Sequence, residues 1–119
     1  VSTGYALLNF VGSLQIRIFL DDGPSLYGIQ GSAFDAGSLV TFAGVIDRTT
    51  DTTFVSTNGI ASSGVDISAA GSFSSSGVNL TIGKGVYQDF ELIAVSVFRR
   101  ALTATEITQI LDYYQARLS

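Results

Sequence analysis

The chain has 119 residues, enough for one domain and too few for two; a domain of this size buries roughly two-thirds of its unfolded surface, so a core needs no covalent staples. It contains no cysteine and no histidine, which excludes a disulfide framework, Cys- or His-based zinc sites and the Ser-His-Asp and Cys-His catalytic arrangements. A formal net charge of -4, with six scattered basic residues, argues against nucleic acid as a partner.

A hydrophobic fraction of 46% excludes general disorder. No apolar run approaches the roughly 18 residues of a membrane-spanning helix, so no membrane insertion is expected. A start at Val1, with neither an initiator Met nor a signal peptide, is expected of a processed chain or of a piece of something longer.

In chain order, Tyr5 to Phe10 is a short apolar run that reads as a strand. Leu14 to Leu20 alternates cleanly, with Leu14, Ile16, Ile18 and Leu20 on one face and Gln15, Arg17 and Phe19 on the other, a strand with one buried side. Asp21-Asp22-Gly23-Pro24 breaks it with turn chemistry. Leu26 to Gln30 is a weaker strand, and Gly31 to Gly37 reads as a loop. Leu39 to Ile46 is nearly all apolar and predicts a central strand buried on both faces.

Asp47 to Asp51 is a polar turn. Thr52 to Thr57 and Ile60 to Ala61 flank Asn58-Gly59, the strongest hairpin signal in the chain, because both residues tolerate positive φ. Val65 to Ile67 is a candidate short strand, Gly71 to Gly77 a serine-rich loop, Asn79 to Ile82 a strand closed by Gly83-Lys84-Gly85, and Phe90 to Phe98 a longer strand. Thr103-Ala-Thr-Glu106 then forms a capping box, and Ile107, Ile110, Leu111, Tyr114 and Leu118 follow at helical spacing. Short strands at this spacing followed by one amphipathic helix predict an all-β sandwich or barrel with the helix packed on it.

The order of elements from Leu39 onward resembles the C-terminal two-thirds of laminin-G-like, concanavalin A-like jelly-roll domains. The resemblance rests on Leu39 to Ile46 followed by Asp47, Phe54 to Gly59, Leu80-Thr-Ile-Gly83, Leu92 to Phe98, and Arg100-Ala-Leu-Thr103 with Glu106. The last of these, Arg-Ala-Leu-Thr-x-x-Glu-Ile after an apolar strand, is its most specific part; the first third matches loosely. It implies an all-β, two-sheet antiparallel jelly-roll sandwich with one C-terminal α-helix. Residues 1–119 would be a single domain of the kind found in bacterial and phage surface proteins. A typical domain of the family carries further N-terminal strands, which leaves open whether this sandwich is complete or is completed by another chain or segment.

The resemblance also bears on sites. Glucanases of this fold use Glu-x-Asp-x-x-Glu on a strand, whereas positions 89 to 94 read Asp-Phe-Glu-Leu-Ile-Ala, with Ala94 where the family usually carries Glu. The pair Asp89 and Glu91 therefore reads as a solvated strand edge, and the chain as a non-enzyme. Laminin-G domains often bind calcium at one rim, for which Asp21, Asp22 and Asp47 are the candidates here, with Asp51 or Asn58 as further donors; an Asx turn is the plainer reading of Asp21-Asp22.

Tyr5, Tyr27, Tyr87 and Phe34 lie in or near turns, where aromatic rings stack on sugar faces or simply pack the rim. Together with Asn58 they are the ligand-binding candidates. Asn79-Leu-Thr81 is a glycosylation sequon within an expected strand, where no glycan is expected. Arg99-Arg100 reads as an anchor of the strand-to-helix junction; of Tyr113 and Tyr114, one is expected to pack inward and the other to face a partner.

The expected function is a non-catalytic carbohydrate-binding or adhesion module at a cell or virion surface. The alternative is an assembly or decoration protein of a phage particle, using the jelly roll for protein contacts and forming an oligomer.

Overall fold

The computed structural model describes the backbone of residues 4–10, and residues 15–73 and 93–118 in full. Strands β1 (Gly4–Phe10), β2 (Gln15–Asp21) and β3 (Leu26–Ala33) form an antiparallel sheet in that order. The alternation read from the sequence is realised in β2. Ile16, Ile18 and Leu20 are buried and the residues between them are half-buried. The turn after β2 is built from its own aspartates: Asp21 Oδ1 accepts the Gly23 amide at 2.8 Å and Asp22 Oδ1 the Ser25 amide at 2.7 Å, with Gly23 at φ 99°.

β3 continues past Gln30 through Gly31 to Ala33, where the sequence suggests a loop. The reason is packing. Gly31 is buried in the sheet interface, at a point where the opposite sheet comes too close for a side chain.

The second sheet contains β4 (Phe42–Asp47), β5 (Thr52–Thr57), β6 (Ile60–Ala61) and β7 (Val65–Asp66). All its pairs are antiparallel, and β5 is its centre, flanked by β4 on one side and by β6 and β7 along the other. The apolar run at 39–46 is therefore not a central strand buried on both faces. The strand starts only at Phe42 and lies at the edge of its sheet among the described residues. Only Val45 in it is buried, while Leu39 and Phe42 are about 40% exposed. The doubly covered position belongs instead to the Thr-rich β5, where Thr53, Val55, Ser56 and Thr57 are all buried.

Thr53 can take that central place because its hydroxyl finds a backbone partner. Thr53 Oγ1 donates to the Val45 carbonyl at 2.8 Å, and Ser62 Oγ accepts the Val55 amide at 3.0 Å. The Asn58-Gly59 turn has φ values of 50° and 81°, the left-handed pair that matches the twist of a two-residue hairpin.

The two sheets face each other across one shared core. Ile16, Ile18, Leu20 and Ile29 come from the first sheet, Val55 from the second, and Ile67 and Ala70 from the segment after β7. Tyr27, Phe34, Ile46, Val65 and Phe73 pack around it half-buried. Two antiparallel sheets with a C-terminal helix are compatible with a β-sandwich.

Helix α1 (Ala104–Leu118) begins where the capping box places it. Thr103 Oγ1 accepts the Glu106 amide at 3.2 Å, and Glu106 Oε2 accepts the Thr103 amide at 2.8 Å. The apolar stripe is only partly covered: Ile107 is buried, Ile110, Leu111 and Tyr114 are half-buried, and Leu118 is exposed.

Residues 93–98, expected as the end of a strand, join no sheet among the described residues, and Ile93, Val95, Val97 and Phe98 are about half exposed. Period-two apolar character suits a residue to a sheet face, but a strand exists only where a neighbour takes its backbone hydrogen bonds. The expected strand Asn79–Ile82, the sequon and the Asp89/Glu91 pair lie outside the described residues.

Candidate functional site

Two places on the described surface gather polar and aromatic groups. The first is the outward face of the β2–β3 sheet. Because Ile16, Ile18 and Leu20 turn inward, Arg17 and Phe19 turn outward. Register places Phe19 opposite Gly28 and Arg17 opposite Gln30. Glycine at 28 leaves the flank of the Phe19 ring uncovered, since a Cβ there would lie 3.1 Å from the ring edge.

The result is an open cleft of about 220 Å³ lined by Arg17, Phe19, Gly28, Ile29 and Gln30. Its polar side is held in place. Gln30 Nε2 donates to Gln15 Oε1, and Gln15 Nε2 donates to the Gly31 carbonyl at 3.3 Å. An aromatic flank beside an amide and a guanidinium can stack on an apolar ring face and hydrogen-bond to its substituents.

The second is the rim where the β2–β3 and β4–β5 turns meet residues 67–73. Arg48 Nη1 donates to the Ile67 carbonyl at 2.8 Å and Nη2 to the Ala70 carbonyl at 3.0 Å. Its guanidinium lies 5.7 Å from the centre of the Phe73 ring and 3.4 Å from Asp51 Oδ1. From the other sheet, Asp22 Oδ2 accepts the Gly71 amide at 2.9 Å. Tyr27 meets Phe73 edge to face at 6.2 Å. Residues 67–73 are thus clipped by both turns at once.

The three calcium candidates spend their carboxylates on this chain's own amides. Asp21 and Asp22 cap Gly23, Ser25 and Gly71, and Asp47 Oδ1 accepts the amides of Thr49 at 2.8 Å and Thr50 at 3.4 Å. The Gly71 and Ser25 amides hold the Asp22 carboxyl below its ordinary pKa, and the Thr49 amide does the same for Asp47. Among the described residues, no three Asp or Glu side chains converge on a point that would hold a metal ion. Calcium takes six to eight oxygens, and the side chains of Asp21, Asp22 and Asp47 do not gather to supply them among the described residues.

Of the aromatic candidates, two have described side chains. Tyr5 contributes its backbone to β1 opposite Leu20, Tyr27 and Phe34 are half-buried against the core, and Tyr87 lies outside the described residues. Asn58 serves the fold: its main-chain nitrogen donates to the Thr41 carbonyl at 2.7 Å while its Oδ1 accepts the Thr41 main-chain amide at 3.0 Å.

The sequence alone does not single out the cleft residues Arg17, Phe19 and Gln30, because an outward-facing strand residue reads as ordinary solvated surface. The available signal was an outward Phe with a glycine one strand away, and it depends on register.

At the helix junction Arg100 pairs with Glu106 through both nitrogens, at 2.7 and 3.0 Å. Arg100 and the Thr103 amide lower the Glu106 carboxyl to about 2. Arg100 thus anchors the junction, as its position suggests. Tyr114 is half-buried, its hydroxyl 3.0 Å from Ser96 Oγ, while Tyr113 is exposed beneath the Arg117 guanidinium.

Comparison with protein-family models, with curated proteins and with solved structures returns no match.

Proposed function

We propose that this chain is a non-catalytic binding module that recognises a carbohydrate at a cell or virion surface, on a jelly-roll sandwich of the laminin-G-like, concanavalin A-like kind. The observation that carries the reading is the cleft beside Phe19. Its volume of about 220 Å³ is below the roughly 300 Å³ at which enclosed small-molecule pockets begin, and it is open on one side. A shallow site suits a single sugar ring at the end of a chain. The Phe19 flank offers a surface for the C–H face of the ring, and Arg17 and Gln30 offer polar groups to its hydroxyls.

The test is a glycan array followed by calorimetry with and without calcium, on the parent and on Phe19→Ala. Binding lost in Phe19→Ala and indifferent to calcium supports the proposal. No binding to any glycan in either condition defeats it.

A second reading, an assembly or decoration protein of a particle, is favoured by the half-exposed apolar residues Ile93, Val95, Val97 and Phe98. Apolar surface gathered in one stretch is a mark of protein contact. Size-exclusion chromatography with light scattering separates the two: a fixed oligomer supports assembly, and a monomer that binds sugar counts against it.

A further inference from the structure

We propose that Asn58 is a site of spontaneous deamidation in the folded protein, and that the change loosens the entry to β4. The inference is independent of what the domain binds.

The chain has three asparagines, Asn9, Asn58 and Asn79, followed by Phe10, Gly59 and Leu80. Cyclisation requires the next residue's amide nitrogen to reach the asparagine side-chain carbonyl carbon, and a large following side chain obstructs that approach. Only Asn58 precedes a glycine. Glycine at 59 brings no side chain to obstruct that approach, and both residues of the turn are exposed to water. The Thr41 amide donates to Asn58 Oδ1 at 3.0 Å. That donor polarises the carbonyl under attack and stabilises the negative charge that develops on its oxygen.

In the first step the Gly59 nitrogen loses its proton to solvent base and bonds to Asn58 Cγ. The Cγ–Nδ2 bond breaks and ammonia leaves, giving a five-membered imide. Water then opens the imide. Attack at Cγ gives aspartate; attack at the main-chain carbonyl gives isoaspartate. No oxidant or reductant takes part.

The isoaspartate product routes the main chain through the side-chain carbon, which lengthens a two-residue turn. The Thr57–Ile60 pairing and the Asn58–Thr41 hydrogen bonds depend on the original length.

The experiment incubates the folded protein in mildly alkaline buffer and follows it by peptide mapping and isoaspartyl-specific methyl labelling. A synthetic peptide spanning residues 54–62 and the urea-unfolded chain serve as controls. Conversion at Asn58 in the folded protein, ahead of Asn9 and Asn79, slowed several-fold in Gly59→Ala and accompanied by a lower melting temperature of the isoaspartyl fraction, is the expected result. Asn58 remaining intact in the folded protein while the peptide and the unfolded chain convert would overturn the proposal. So would faster conversion at either other asparagine.

Discussion

Gly31 of β3 lies against Thr57 of β5 so closely that a Cβ on the glycine would fall 2.5 Å from Thr57 Oγ1 and 2.9 Å from Val55 Cγ1. Neither neighbour is the end of a flexible side chain. Both sit on the central strand of the other sheet, with Thr57 and Val55 at 1% and 0% exposure. The spacing between the sheets at this point is therefore set by the absence of a side chain.

Gly31→Ala should force β3 away from β5. Overpacking a filled core costs about 1–3 kcal/mol, and the upper half of that range is expected where a strand must shift. Urea denaturation of the two proteins measures it. A midpoint unchanged from the parent would mean that the interface relaxes freely.

Thr57 Oγ1 is buried and, among the described residues, makes no hydrogen bond. Thr57→Val replaces that hydroxyl with a methyl of similar shape and removes the cost of burying it dry. A stabilisation of about 1 kcal/mol is expected by equilibrium unfolding. Destabilisation of the same size would show that the hydroxyl has a partner in solution.

Arg48 ties residues 67–73 to the β4–β5 turn through two carbonyls, of which that of Ile67 also accepts the Ala70 amide at 2.9 Å. Arg48→Ala should cost about 1–2 kcal/mol, at the lower end for charged hydrogen bonds because the side chain is 46% exposed. Arg48→Lys should recover little, since one ammonium cannot reproduce the planar fork across two acceptors. Hydrogen exchange at the Ile67 and Ala70 amides should quicken in both variants.

Acid should loosen the helix start in a defined window. The Glu106 carboxyl is lowered from 4.5 to about 2, first by the Arg100 side chain and then by the Thr103 amide. A group whose folded pKa is depressed contributes its stability above the unfolded pKa, and that contribution is lost as pH falls toward the folded value. Helix content followed by circular dichroism should therefore decline between about pH 4.5 and pH 2 in the parent. Glu106→Gln should flatten that decline, because its side chain does not titrate. The carboxyls of Asp22, Asp47 and Asp66, lowered by amides of Gly71, Thr49 and Ser68, act in the same direction on the turns.

By itself the sequence determined whatever depends on near neighbours along the chain. The alternation of β2, the Asn58-Gly59 turn, the Asx turn at Asp21-Asp22 and the capping box at Thr103 all arise within a few residues, and each is present in the structure. Tertiary structure decided what depends on distant partners. It placed the Thr-rich β5 at the centre of its sheet and the more apolar β4 at the edge, where the neighbouring strand's Val45 carbonyl accepts from the buried Thr53 hydroxyl and Ser62 accepts the Val55 amide. It ran β3 through Gly31 because the facing sheet leaves no room for a side chain there, and it set Phe19 beside Gly28 through a register that neither strand encodes alone. Local hydrogen bonds and turn geometry act within reach of a short window, while sheet order, face coverage and the cleft depend on pairings between residues far apart in the chain.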